Sequence, residues 1–286
     1  MYDFDTYMDD MKKLVDSRLE QALPRISARP PVLHEAMRYS VFSGGKRLRP
    51  ILCIACCEAV GGDIDLAMTP AAALEILHAY TLVHDDLPCM DNDDMRRGQP
   101  SCHIKYDETT AVLAGDGLHA LAFELLGACE APPPYPPNQL VRELAQAVSS
   151  RGLIGGQMAD LLLHEEPTLA DVQYVHATKT AALFRAAARI GAIAGECGFD
   201  QLTALTEYGL HLGLAFQIAD DLLDKDIDNS TADGVNYLQV ASADEAQEKA
   251  KELIDKAVAS LAQVQSEKTE PLQQLAELVR KRAETR

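Results

Sequence analysis

The sequence predicts an all-α chain, and three observations carry that expectation. Alanine and leucine dominate, aromatic residues make up only 5% and tryptophan is absent, a composition that suits helices better than strands. Apolar residues recur at helical spacing, most clearly Ile76, Tyr80, Val83 and Leu87, which stand at i, i+4, i+7 and i+11 on one stripe. No run of alternating apolar and polar residues is convincing as a strand. Neither a fixed-period repeat nor a shift in composition divides the 286 residues, so a single domain over 1–286 is expected, long enough to bury a core.

Taken in chain order, the N-terminal MYDFDTYMDDMKKLVD mixes acids with apolar residues and does not read as a signal peptide. ILCIACC, residues 51–57, reads as helix with core thiols at Cys53, Cys56 and Cys57, because a CxxC spacing without a second pair makes a poor metal site. The stripe through Ile76 and Val83 carries a helix to Asp85 and Asp86, and Pro88 stops it: proline has no N–H and clashes with the carbonyl one turn back. APPPYPPN, residues 131–138, is the one proline-rich piece and reads as an ordered connection between helices. Residues 180–194 and 243–262 are rich in good helix formers.

Bulk properties exclude several functions. A formal net charge of −18 argues against nucleic acid and against anionic membrane surfaces, and it is compatible with divalent cations. No segment approaches the run of apolar residues that spans a bilayer. Seven cysteines, an odd number, predict reduced thiols and a cytoplasmic location.

The chemistry concentrates in acidic and basic clusters. In VHDDLPCMDNDDMRRG, residues 83–98, a straight helix would point Asp85 and Asp91 about 120° apart, but a turn at residues 87–90 lets Asp91 fold back toward Asp85 and Asp86. Three such carboxylates suit Mg²⁺, which commonly bridges to substrate phosphates. In FQIADDLLDKD, residues 216–226, Asp220 and Asp224 share a helix face, and their mutual repulsion is useful if a metal neutralises it. Gln217 extends that face one turn back. Cations complete the pattern. SGGKRLRP, residues 43–50, sets Lys46, Arg47 and Arg49 after a diglycine whose N–H groups can turn toward an anion. Arg96 and Arg97 follow the first acidic cluster, and Lys179 and Thr180 lie in HATKT. Together these read as seats for two diphosphates, one clamped through metal and one held by cations directly.

GGKRLRP, HDDLPCMDNDDMRRG, GGQMADL (residues 155–161), KT and FQIADDLLD occur in an order that resembles the short-chain trans-isoprenyl diphosphate synthases, most closely the bacterial-type farnesyl diphosphate synthases. The resemblance covers roughly residues 40–225. It implies a single-domain bundle of antiparallel helices around a central cavity, usually a homodimer, with two aspartate motifs and Mg²⁺ (Mn²⁺ as a substitute) at the cavity mouth. It implies metal carboxylates at Asp85, Asp86, Asp91, Asp220, Asp221 and Asp224. Arg96, Lys179, Thr180 and Gln217 match positions that hold the allylic diphosphate, and Lys46, Arg49, His78 and Arg97 match those that hold isopentenyl diphosphate. The implied reaction is head-to-tail condensation, in which the allylic diphosphate ionises and the departing diphosphate takes the proton lost. Asp85, Asp91, Arg96, Lys179 and Asp220 are the residues expected to carry it. Tyr80, five residues before Asp85, matches the floor of the chain pocket and implies a farnesyl, C15, product.

Two features depart from the resemblance. The chain reads KDIDNSTADGVNYLQVASADEA after Asp224, with no lysine between Lys225 and Lys249, where the family carries a Gly-Lys loop. The C-terminal KRAETR offers substitute cations for the isopentenyl site. Rival readings are a geranylgeranyl, C20, synthase and a noncatalytic paralogue. A di-iron bundle, suggested by Glu75 and His78 at ExxH spacing, lacks a second such motif in the sequence.

Overall fold

The computed structural model describes residues 3–163, 166–224 and 234–285. Helices make up almost all of its regular structure. Contacts group the chain into two compact units, Met1–Ile51 with Met68–Glu130 and Leu52–Ala67 with Ala131–Arg286, each taken by itself below.

The first unit contains α1 (Phe4–Ala22), α2 (Pro31–Phe42), the start of α3 (Leu48–Ala59) and most of α4 (Ile64–Asp85). A short hairpin, β1 (Met95–Arg96) and β2 (Gln99–Pro100), follows, then α5 (Cys102–Lys105) and α6 (Glu108–Gly127). Local chemistry sets the helix starts. The Asp3 carboxylate accepts the Thr6 N–H at 3.3 Å and caps α1, Pro31 occupies the first turn of α2, and Asp107 accepts the Thr110 N–H at 2.7 Å ahead of α6.

α4 ends where Pro88 requires. Leu87 N–H bonds back to the His84 carbonyl at 3.2 Å, and Asp91 N–H donates to the Asp85 carbonyl at 2.9 Å, closing the expected turn. The same helix corrects the bilayer expectation: by length and composition alone α4 could cross a membrane, yet 67% of its apolar window is buried inside the protein. Its apolar residues surround the axis, a pattern that also belongs to a helix enclosed on all sides, so counting apolar runs on one face missed it.

α6 runs antiparallel to α4 with its own small residue at the closest approach. His84 Nε2 donates to the Val112 carbonyl at 3.0 Å, and a Cβ on Gly115 would collide with the His84 ring. One turn further down, the Tyr80 and His119 rings lie 4.9 Å apart, and Phe123 continues behind His119 at 5.0 Å. The β1–β2 hairpin was not expected from sequence. Its two turn residues, Arg97 (φ 53°) and Gly98 (φ 77°), both occupy the left-handed region demanded by a tight two-residue hairpin turn, and an Arg-Gly pair is a weak signal for it.

The second unit contains most of α3, then α7 (Gln139–Val148), α8 (Leu153–Leu162) and α9 (Leu169–Val175). A π-helical turn (His176–Ala181) leads into α10 (Ala182–Ala194), followed by α11 (Phe199–Asp224), α12 (Ala243–Ser260) and α13 (Glu270–Glu284). α10 and α11 approach closely because Gly213 lies against Ala181 and Phe184, where a Cβ would be 2.7 Å from Ala181 Cα. The Arg189 guanidinium of α10 grips Glu143 of α7 through two bonds, at 2.7 and 2.8 Å, and reaches Thr206 of α11 at 2.7 Å. Tyr208 is wholly buried and its hydroxyl donates to the Leu272 carbonyl at 2.6 Å, joining α11 to α13.

The expected core thiols are present: Cys53, Cys56 and Cys57 are free and fully buried in α3, and burial pushes the Cys57 thiol up to about 12. The proline-rich connection between α6 and α7 is also ordered, with the Tyr135 hydroxyl donating to the Cys197 carbonyl at 3.0 Å.

Candidate active site

In the first unit, the diglycine segment and the hairpin build a basic cradle. Gly44 (φ 111°) and Gly45 (φ 119°) take backbone angles open to glycine, and the Arg97 guanidinium donates to the Gly44 carbonyl. A side chain at Gly45 would strike that guanidinium, so the second glycine makes room for the cation as well as for the turn. Arg47 turns inward instead: its buried fork binds Glu75 at 2.7 Å, Asp16 at 2.9 Å and the Val41 carbonyl at 3.0 Å. Lys46 stays exposed on the segment between them.

His78 sits against this cradle, with Nε2 3.3 Å from Arg49 Nη1. Burial, reinforced by Arg49, Arg97, Arg47 and Arg96 in that order, holds its imidazole well below the usual range. A neutral ring facing Arg49, which only donates, presents Nε2 as the acceptor. Four arginines thus lie near this histidine, and two of them, Arg47 and Arg96, are already paired with carboxylates. Glu75 and His78, spaced like di-iron ligands, thus have separate arginine partners.

The first aspartate motif is less uniform than expected. Asp86 is buried, and its Oδ1 accepts from Arg96 Nε at 2.8 Å and Nη2 at 2.5 Å. Burial raises the Asp86 carboxyl despite this pairing. Arg96 also binds Asp93 at 2.7 Å, an acid to which the sequence reading assigned no role. Asp85 and Asp91 are brought close in the backbone by the turn after α4.

In the second unit, the π-helical turn presents Lys179 and Thr180 in succession. π turns are uncommon and frequently mark functional sites. α8 lies tight against this one, since a Cβ on Gly156 would collide with the Lys179 backbone nitrogen and sit 2.5 Å from Thr178 Oγ1. One turn on, Asp160 Oδ2 accepts from Lys179 Nζ at 2.5 Å, while its Oδ1 accepts the Val235 N–H at 2.6 Å. GGQMADL therefore supplies both a close approach and an orienting acid. In the sequence alone Asp160 is legible only as one more acid.

Thr180 donates to Gln217 Oε1 at 2.6 Å, and Gln217 Nε2 donates to Asp221 Oδ1 at 2.9 Å. Asp221 is buried, its Oδ2 accepts the Tyr237 N–H at 2.7 Å, and His176 Nε2 lies 3.2 Å from the same oxygen. Asp220 meets Arg282 of α13 at 2.5 Å, with that guanidinium also over the Phe216 ring at 5.5 Å. The C-terminal cations were expected to serve the isopentenyl site. Arg282 instead pairs within the second aspartate motif, because α13 packs along α11 and delivers its last turn there. Asp224 ends α11, and its side chain, with Lys225, residues 226–233 and Arg286, lies outside the described residues.

Hard carboxylate oxygens of this kind are the donors a cation such as Mg²⁺ takes. Among the described residues, however, no three His, Cys, Asp or Glu side chains gather into a metal-holding group. The donor chemistry fits such a cation, yet the expected ligands differ in setting: Asp86 and Asp221 are buried against protein donors, while Asp220 meets Arg282 at a more accessible position.

Comparisons with known proteins agree on one family. The polyprenyl synthetase family model matches residues 30–282. The heterodimeric geranylgeranyl pyrophosphate synthase large subunit 1, chloroplastic, of Arabidopsis thaliana is 40% identical over 97% of this chain and 79% of its own. The chloroplastic geranylgeranyl pyrophosphate synthase of Catharanthus roseus is 39% identical over 97% and 81%. Among solved structures, an FPP/GFPP synthase from Zymomonas mobilis superposes with a TM-score of 0.87 at 37% identity, covering 96% of this chain and 98% of that one. A geranyltransferase from Legionella pneumophila gives 0.86 at 34% identity, covering 99% and 98%.

Proposed function

The chain belongs to the polyprenyl synthetase family and is a short-chain prenyltransferase with an all-α isoprenoid synthase fold, and from that premise we propose that it condenses isopentenyl diphosphate head-to-tail with dimethylallyl or geranyl diphosphate to give farnesyl diphosphate. The observation that carries the product assignment is Tyr80, set five residues before Asp85 on α4 and backed by His119 and Phe123.

Each residue group has a task in this reading. Lys46, Arg49 and Arg97 hold isopentenyl diphosphate, and neutral His78 accepts from Arg49 and fixes its fork. Lys179, steadied by Asp160, and Arg96 bind the allylic diphosphate and stabilise the negative charge that develops as it leaves. Thr180 and Gln217, bonded to each other, help to hold the same diphosphate. The reaction requires water to be kept from the allylic cation, which it would quench. Asp85, Asp91, Asp220 and Asp224 would hold Mg²⁺, or Mn²⁺ in its place, and such an ion supplies Lewis-acid assistance to the leaving diphosphate. The electron pair of the isopentenyl double bond forms the new bond to the allylic C1, the C1–oxygen bond breaks, and the released diphosphate accepts the proton lost. A homodimer belongs to the same reading as what the resemblance implies, and a cytoplasmic location accords with the seven free cysteines.

The second reading is a C20 synthase, favoured by the names of the plant relatives. Incubating the protein with isopentenyl diphosphate and each allylic diphosphate, with Mg²⁺ or with chelator, tests both. We expect a C15 alcohol after dephosphorylation and no condensation with chelator. A C20 alcohol establishes the second reading, and no condensation with Mg²⁺ overturns prenyl transfer and leaves the noncatalytic paralogue.

A further inference from the structure

We infer that Asp221 is a positioning residue of the allylic site and not a ligand of the metal, an inference that rests on the proposed prenyl transfer. Its two oxygens face three protein groups. Oδ1 accepts from the Gln217 amide at 2.9 Å, Oδ2 accepts the Tyr237 N–H at 2.7 Å, and His176 Nε2 stands 3.2 Å from Oδ2. The side chain is only 4% exposed, so turning it out to a cation would strip acceptors from the Gln217 amide and the Tyr237 N–H. Asp220, beside it on α11, is far more accessible, at 28% of its side chain.

The direction of the bonds shows what Asp221 positions. An ionised carboxylate only accepts, so it draws the NH₂ end of Gln217 toward itself and leaves Oε1 pointing away. Oε1 then accepts the Thr180 hydroxyl at 2.6 Å. One acid thus fixes which way the Gln217 amide faces, and the amide fixes the Thr180 hydroxyl on the π turn. The Tyr237 bond ties the same carboxylate to the segment that follows residues 225–233, and the His176 ring, 6.0 Å from the Tyr237 ring, closes the cluster at the start of the π turn. Supporting groups of this kind, when removed, lower activity about 10–100-fold without touching substrate.

Asp221→Asn tests the idea. The amide keeps the shape but replaces one acceptor oxygen with a donor, which faces other donors. The readouts are kcat, KM for isopentenyl diphosphate, the Mg²⁺ concentration at half-maximal rate, and Mn²⁺ bound per subunit by electron paramagnetic resonance in the presence of the unreactive geranyl thiodiphosphate. We expect kcat to fall about 10–100-fold while KM and the Mg²⁺ midpoint stay within about twofold and the Mn²⁺ count is unchanged. Asp220→Asn, by contrast, raises the Mg²⁺ midpoint or loses an ion. Gln217→Leu gives a similar fall in kcat, and the double variant is no worse than the poorer single one. A lost Mn²⁺ or a raised Mg²⁺ midpoint in Asp221→Asn overturns the inference, as do additive losses in the double variant. Should Asp221→Asn fail to fold, Gln217→Leu carries the test, and an undiminished kcat there overturns it. Failure of the unaltered protein to condense its substrates overturns the reaction, while the Mn²⁺ count still reports on Asp221 separately.

Discussion

Truncating Tyr80 to alanine should lengthen the product by one isoprene unit. Tyr80 lies five residues before Asp85, so at about 1.5 Å per residue its ring sits roughly 7.5 Å down the helix from the metal-binding end. α4 and α6 run antiparallel, and successive pairs meet at matching levels: His84 against Gly115, then Tyr80 against His119. Phe123, four residues after His119 and 5.0 Å from its ring, is the next large side chain, about 6 Å deeper. An isoprene unit adds four bonds to the main chain of the product, about 5 Å when extended. The space opened by Tyr80→Ala therefore admits one further unit before Phe123 blocks the way, and the product should move from C15 to C20. Tyr80→Ala/Phe123→Ala should pass beyond C20, while Phe123→Ala alone should keep C15 because Tyr80 still closes the pocket. The half-buried ring costs about 2 kcal/mol when removed, which lowers the melting temperature by about 4–8 °C and leaves the protein folded at assay temperature. Chromatography of the dephosphorylated alcohols reads the outcome. A folded Tyr80→Ala variant with unchanged C15 output would refute the floor, and so would C20 from the unaltered protein.

Two further outcomes follow from groups away from the site. Glu143 is held below its ordinary 4.5: burial opposes ionisation, but the hydrogen bonds and charge of Arg189 overcome it. A depressed carboxylate stabilises the fold above its unfolded pKa, and the contribution disappears as pH falls through the lower folded value. Glu143→Gln should accordingly lower the melting temperature by about 4–8 °C at pH 7, corresponding to about 2 kcal/mol, with the gap closing as the pH is taken well below 4.5; a gap that persists at low pH contradicts the charged pairing. Thiol titration with dithionitrobenzoate should modify exposed Cys89 rapidly in the native protein and reach Cys53, Cys56 and Cys57 only on unfolding. Rapid native reaction of the α3 thiols would contradict their burial.

Residue types and spacing determined the helices, the stop at Pro88, the fold-back of Asp91 and the grouping of acids and cations into motifs, because those features depend on interactions within a few residues of chain. The same string left other things open. Arg47 and Arg49 are indistinguishable cations in GGKRLRP, yet Arg47 is consumed by Glu75 and Asp16 while Arg49 faces His78. Asp220 and Asp221 are adjacent identical letters, and a rotation of 100° about the helix sends one to Arg282 near solvent and the other into a buried cluster. Asp160 gained a role only when packing at Gly156 set it beside Lys179. A charge acquires its function from the partners that desolvate and orient it, and the partners cited for these residues lie from 16 to 62 positions away, beyond the reach of any local pattern.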